Sequence, residues 1–98
     1  MKNPNLEKTQ EVTLVRQPPP PVLRWDWNGD RVLLLYRDDA LVVELRKKTE
    51  AGVSWHLHHP NGAVVLAGAS RTIPAWRITK NSAQRAAEAF ARGEAIAP

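Results

Sequence analysis

Apolar and polar residues alternate most clearly over residues 53–68, and the pattern there is that of a β-hairpin. In the run V-S-W-H-L-H at residues 53–58, every second residue is apolar, as on a strand with one buried face. An Asn-Gly pair at residues 61–62 separates this run from a second apolar run, V-V-L. Because both central residues of a tight hairpin turn need positive φ, this arrangement is a strong hairpin signal. We therefore predict a hairpin in which Trp55 and Leu57 face the core.

The preceding part of the chain carries another Asn-Gly pair, at residues 28–29. Interpreted as a two-residue turn, this pair places Trp27 opposite Asp30 and Trp25 opposite Val32. The register matters because successive residues of a strand point to opposite faces of the sheet.

An Asp-Asp pair at residues 38–39 predicts the next two-residue turn, since aspartate tolerates the left-handed conformation. This turn places Tyr36 opposite Leu41 and Leu34 opposite Val43. The two turns together predict a three-stranded meander with an apolar core face, made of Leu23, Trp25, Val32, Leu34, Tyr36, Leu41, Val43 and Leu45. The opposite face is then mixed, with Arg24, Asp26, Arg31, Leu33, Leu35, Arg37, Val42, Glu44 and Arg46.

The C-terminal part of the chain predicts one amphipathic helix at about residues 82–92, after a short last strand at residues 75–79. Apolar residues recur at i, i+3, i+4, i+7 and i+8, which is the period of a helix with one buried face. They are Ala83, Ala86, Ala87, Phe90 and Ala91. Asn81 is the predicted N-cap and Gly93 fits the C-terminal end. The predicted fold class is α+β, an antiparallel β-meander of four to six strands with this C-terminal helix packed on one face.

The remaining segments complete one α+β domain over residues 11–93. A flexible tail is expected at residues 1–10 and a short frayed tail at residues 94–98. The run E-V-T-L-V-R at residues 11–16 predicts an edge strand, and the four prolines at residues 18–21 predict a stiff polyproline-II spacer after it. A ligand for SH3-like or WW-like domains is the alternative interpretation of the prolines.

The charge balance of the 98-residue chain indicates a polyanionic partner. Fourteen Lys and Arg stand against ten Asp and Glu, for a formal net charge of +4. Nine of the fourteen are arginine, which forms two-point contacts with phosphate or carboxylate. The chain has no cysteine, no apolar run long enough to span a membrane and no signal-peptide pattern at its N-terminus. We expect a cytoplasmic protein of a bacterium or phage, with no membrane partner.

Catalytic motifs are missing from the sequence. It contains neither a G-x-S-x-G nucleophile motif nor a glycine-rich phosphate loop. Asp38 and Asp39 are neighbours in a predicted turn, where adjacent side chains point apart, so they are a poor acid/base pair. We therefore expect no enzymatic activity and no cofactor.

Histidines 56 and 58 are the candidate metal ligands, since residues at i and i+2 of a strand project from one face. A site needs a third or fourth ligand, and the chain offers no cysteine and no H-x-x-x-H helix motif to supply it. The competing interpretation is a polar outer face of the hairpin. We favour that interpretation and predict no metal.

Nucleic-acid binding is the first functional hypothesis. The predicted phosphate contacts are Arg24, Arg31, Arg37 and Arg46 on the mixed face, with Lys47 and Lys48 in the following loop. Trp27 and Trp76 are the candidate platforms for stacking on unpaired bases. Pairing of the arginines with Asp26 and Glu44 on the same face would weaken this site.

A protein-interaction or inhibitory module, of the kind that phages and plasmids encode, is the alternative hypothesis. Leu33, Leu35 and Val42 lie in the middle of the predicted mixed face, with arginines around them. An apolar centre with a polar rim is the usual composition of a protein interface. Such a patch would bind an acidic protein partner or a second copy of the chain. The face that the helix covers decides whether it is accessible.

Overall fold

The computed structural model describes residues 19–98, so the predicted tail at residues 1–10, the predicted edge strand at residues 11–16 and Pro18 lie outside the described residues. Within that range the α+β class is confirmed. The elements are β1 Leu23–Trp27, β2 Val32–Arg37, β3 Ala40–Lys48, β4 Ser54–His58, β5 Leu66–Ala67, β6 Ile73–Pro74, β7 Trp76–Arg77 and α1 Lys80–Ala91. No helix among residues 19–98 is long and apolar enough to cross a bilayer.

Five of the strands form one antiparallel sheet, in the order β1-β2-β3-β4-β7. This agrees with the predicted meander of four to six strands. Strands β5 and β6 form a separate two-stranded ribbon in the connection between β4 and β7. The edges of the main sheet are therefore β1 and β7, the latter lying within the predicted last strand.

The first turn is longer than the sequence predicted. The N–H of Asn28 donates to the carbonyl of Val32 at 2.9 Å, and Trp27 pairs with Leu33 instead of Asp30. A type I′ turn needs positive φ at both central residues, but in this turn only Gly29 has it, at 79°. The register differs from the predicted one by three residues. This odd difference places Leu35 opposite Trp25, with both side chains on the same face.

The second turn is the predicted one, but the strands after it do not keep its register. Asp38 and Asp39 both have positive φ, 50° and 68°, and Tyr36 pairs with Leu41 as expected. A β-bulge at Val42 then shifts the pairing by one residue. Val43 consequently lies opposite Leu35, and the predicted pairing of Val43 with Leu34 is wrong.

These two changes exchange the faces of β2. The core lies between the sheet and α1, which contacts β2, β3, β4 and β7. Its buried residues are Leu33, Leu35, Val43, Leu45, Trp55, Leu57, Val65, Ala67, Ala75, Ala83, Ala86, Ala87, Ala91 and Ile96. The side chains on the other side of the sheet, here called the open face, include Arg24, Asp26, Val32, Leu34, Tyr36, Leu41, Glu44, Arg46, Lys48, His56, His58 and Trp76. The predicted core positions Val32, Leu34, Tyr36 and Leu41 are therefore half-exposed.

The helix follows the predicted stripe but begins earlier. Its N-cap is Thr79, not Asn81, because the Thr79 hydroxyl accepts the N–H of Ser82 at 3.2 Å. The stripe of alanines is buried, and small side chains allow the helix to approach the sheet closely. At the C-terminal end Gly93 has φ of 83°, and its N–H donates to the carbonyl of Phe90 at 2.9 Å, as in a Schellman motif.

The residues after the helix are docked and do not form the predicted frayed tail. Ile96 is buried in the core, and its carbonyl accepts the N–H of Gly68 at 3.0 Å. The guanidinium of Arg77 donates to the carbonyl of Ala97 at 2.7 Å. These contacts connect the C-terminus to the segment between β5 and β7. The hydrophobic periodicity of the sequence predicts no packing partner for that segment.

Candidate nucleic-acid interface

The six predicted phosphate contacts do not share one face. Arg24, Arg46 and Lys48 lie on the open face, whereas Arg37 and Lys47 lie on the helix side of the sheet. Arg31 lies in the first turn. The physical reason is that β3 extends through residues 46–48, so that consecutive cations alternate between faces. The register of β1 and β2 also moves Arg37 to the helix side.

Three of the predicted arginines are already held by neighbours within the fold. Arg46 binds the carboxylate of Glu44 at 2.9 Å. Arg24 lies 4.4 Å from the centre of the Tyr36 ring, a cation–π arrangement. The guanidinium of Arg37 donates to the carbonyl of Ala91 at 2.7 Å, which satisfies a helix C-terminal group that has no partner inside the helix.

The remaining predicted cations meet at one end of the sheet. The carbonyl of Arg31 accepts the N–H of Lys47 at 2.8 Å, and Lys48 follows on the same strand. Because β7 pairs with the start of β4, the start of α1 brings Lys80 to this end as well. We call the group Arg31, Lys47, Lys48 and Lys80 the basic end. Among residues 19–98 none of these four cations forms an ion pair within 4.0 Å.

An aromatic pair lies between the lysines of the basic end. Trp27 is 49% exposed and meets the buried Trp55 edge to face, with ring centroids 6.5 Å apart. The ammonium of Lys80 is 5.4 Å from the centre of the Trp27 ring, and that of Lys47 is 5.8 Å from the centre of the Trp55 ring. The basic end therefore presents a half-exposed indole with one ammonium near its own ring and a second near the ring of its aromatic neighbour.

Lys80 is the residue that sequence reasoning missed. It precedes the predicted start of the helix, and nothing in the local pattern brings it to Trp27. Only the packing of α1 on the sheet makes that contact. The only sequence feature that marks Lys80 is a cation at the boundary of the predicted helix. That feature alone does not indicate which residues the side chain contacts.

Trp76 does not join this group. It lies on the open face at the opposite edge of the sheet, where it stacks on His56 with ring centroids 6.1 Å apart and planes 17° apart. Trp76 is 45% exposed. The two predicted stacking residues thus belong to different surfaces.

The histidines have local partners. The Nε2 of His56 is 2.9 Å from the hydroxyl of Ser54, and the Nδ1 of His58 is 3.0 Å from the carbonyl of Gly62. Burial, followed by the positive charges of Lys48 and His58, lowers the pKa of His56. Among residues 19–98 no three histidine or carboxylate side chains are grouped to hold a metal ion.

The predicted protein-interaction patch is not on the surface. Leu33 and Leu35 are buried in the core beneath the helix, and Val42 packs against that core from the bulge. The helix therefore covers the face that carries these residues, which is the case in which the predicted patch is not accessible, because the register of the first turn and the bulge direct them towards α1. Comparison with protein-family models, with curated proteins and with solved structures finds no match for this chain.

Proposed function

We propose that this protein binds single-stranded nucleic acid at its basic end and catalyses no reaction. The observation that carries the proposal is the half-exposed indole of Trp27, which has the ammonium of Lys80 near its ring and contacts Trp55, the ring that the ammonium of Lys47 approaches. An unpaired base can stack on this indole, and the flanking cations can contact the phosphates on either side of that base.

Single strands fit this surface better than a duplex does. A base in a duplex is stacked on its neighbours and offers no free face to an indole, whereas an unpaired base does. Contacts from lysine to phosphate carry no information about the base sequence, so we propose binding with little sequence preference. We also propose that this binding takes place in the cytoplasm.

Fluorescence anisotropy with a labelled oligothymidine of about 12 nucleotides tests the proposal. We expect affinity to fall steeply between about 50 and about 200 mM salt, because bound phosphates release counterions. The variant with Lys47→Gln and Lys80→Gln should bind more weakly and reduce the salt slope by about 1.4, or about 0.7 for each lysine that no longer neutralises a phosphate. The control with Arg71→Gln and Arg92→Gln removes equal charge from exposed positions, one between β5 and β6 and one at the opposite end of α1 from Lys80, and should bind as the wild type does.

The two exposed tryptophans locate the binding surface in the same assay. Trp27→Ala should weaken binding by about 1–3 kcal/mol, because the base no longer has an indole to stack on. Trp76→Ala, at an equally exposed indole on the other surface, should leave the affinity unchanged. No binding at about 50 mM salt, or equal losses from the two tryptophan variants, would contradict the proposal.

A further inference from the structure

The free edge of β7 exposes an unusual number of apolar side chains. Trp76 is 45% exposed and the next apolar residue, Ile78, is 68% exposed. We call these two residues the β7 ridge. Val53 and Ile73 are also exposed beside it. Exposed apolar side chains grouped in this way mark interaction surfaces more often than isolated ones do.

Two grooves run along the two sides of the β7 ridge. One, of about 430 Å³, is lined by Ile73, Pro74 and Arg77, and by Pro98 of the C-terminal segment. The other, of about 490 Å³, is lined on the side of β4 by residues 51–54 and by His56. Both grooves are bounded by the ridge itself. Pockets for alternate side chains on either side of a strand are what an added strand requires.

The backbone at this edge is directed outward. The N–H of Leu57 donates to the carbonyl of Ala75 at 3.1 Å, so the paired positions of β7 are Ala75 and Arg77. Because antiparallel pairing alternates along a strand, the N–H and carbonyl of Trp76 point away from β4. The carbonyl accepts a bond of 2.8 Å from the Arg77 guanidinium. The N–H of Trp76 is thus placed to donate to a further strand.

The charge on the side chains that line the two grooves is positive. Among residues 19–98 no acidic side chain lines either groove, whereas Arg77 lines one of them. Lys48 lies beside the other groove, since it pairs with Ser54, and Glu50 directly precedes the residues that line this groove. Charge complementarity therefore favours an occupant that carries carboxylates.

We propose that the β7 ridge binds an extended segment of a partner protein, in which apolar residues alternate with Asp or Glu, as an added strand on β7. A second copy of the chain is a poorer occupant, because two-fold pairing would bring like charges together in a molecule of net charge +4. A nucleic acid is also poorer, since Ile73, Val53 and Ile78 offer aliphatic surface where stacking requires rings. This site is separate from the basic end and does not depend on it.

Titration of the ¹⁵N-labelled protein with a capped peptide of about eight alternating valine and glutamate residues, followed by NMR, tests the proposal. We expect the largest shifts at the Trp76 indole and at the amides of Trp76 and Ile78. A capped peptide of alternating valine and lysine should leave these signals in place. Ile78→Asp should weaken binding of the glutamate peptide at least about tenfold. Trp76→Ala should do the same without adding a charge.

Val22→Asp is the matched control, because Val22 is 69% exposed at the opposite edge of the sheet. It should bind the glutamate peptide as the wild type does. Several outcomes would overturn the proposal: no shifts with the glutamate peptide, equal shifts with the lysine peptide, or equal weakening by Val22→Asp. Shifts at the ridge that depend on protein concentration alone would assign it to a second copy. Shifts there with an oligothymidine would assign it to nucleic acid, and each of these results also overturns the proposal.

Discussion

The imidazole of His56 lies on the open face, beside the aromatic ring of Trp76. Its ring stacks on Trp76, and its Nε2 is 2.9 Å from the hydroxyl of Ser54. Burial lowers its pKa below the usual value of 6.5, and the charges of Lys48 and His58 lower it further. The folded protein therefore favours the neutral form of this histidine more than the unfolded chain does.

This residue predicts a pH dependence of stability. As the pH falls below about 6.5, the unfolded chain takes up a proton at His56 more readily than the folded protein, so the free energy of unfolding should decrease. Urea unfolding at about pH 7.5 and about pH 5.5 measures the change. His56→Gln should reduce this decrease, whereas His59→Gln should retain it. An unchanged pH dependence in the His56→Gln variant would show that another group is responsible.

At the scale of the elements, the two ends of the helix differ in how well the sequence predicts them. Gly93 is the predicted C-terminal end and lies there with positive φ. Asn81 is the predicted N-cap, but the chain already turns at Thr79. Both residue types cap helices, and the chain direction imposed by β7 decides between them. Local preference does not contain that information.

The two candidate caps give a direct test. Thr79→Ala should lower the free energy of unfolding by about 1 kcal/mol, because the N–H of Ser82 loses its acceptor. Asn81→Ala should leave stability unchanged or raise it slightly, because position 81 lies within the helix and is exposed, and alanine is the better helix former there. Chemical denaturation of the two variants measures both effects. A larger loss of stability from Asn81→Ala than from Thr79→Ala would show that Asn81 is the N-cap, as the sequence predicted.

The strands show why the predicted faces are exchanged. Residues 32–36 read V-L-L-L-Y, with apolar side chains at both parities, so hydrophobic periodicity cannot decide which set faces the core. The predicted register then depends on a tight turn at Gly29 and on an unbroken ladder through Val42, and the structure has neither. Where the period is unambiguous, as at Trp55 and Leu57, the predicted burial is confirmed.

The candidate site likewise combines residues that the sequence indicates with a spatial grouping that it does not predict. The sequence alone indicates Trp27, Arg31, Lys47 and Lys48, because tryptophan content and clustered cations are features of composition and order along the chain. Their grouping at one end of the sheet depends on long-range packing of α1, which also supplies Lys80. Sequence reasoning therefore names four of the five residues of the proposed site, but it does not predict their grouping in space.

At the scale of the whole molecule, the C-terminal segment completes the core that the sheet and helix leave open. The stripe of α1 is mostly alanine and fills little volume. Ile96 packs into the same core, together with Val65 and Ala67 from the long connection between β4 and β7. The segment after Gly93 therefore stabilises the fold, because Ile96 contributes a buried side chain to the core.

Ile96→Ala should consequently lower the free energy of unfolding by about 2–4 kcal/mol, since it removes a buried side chain and leaves a cavity. Ile78→Ala, the same change at a side chain that is 68% exposed, should alter stability by no more than about 0.5 kcal/mol. Urea unfolding of both variants beside the wild type measures the difference. A loss of less than about 1 kcal/mol in the Ile96→Ala variant would show that the segment after Gly93 is only loosely attached. Affinity for the oligothymidine should survive in the Ile96→Ala variant under conditions where it stays folded, because Ile96 is not part of the basic end.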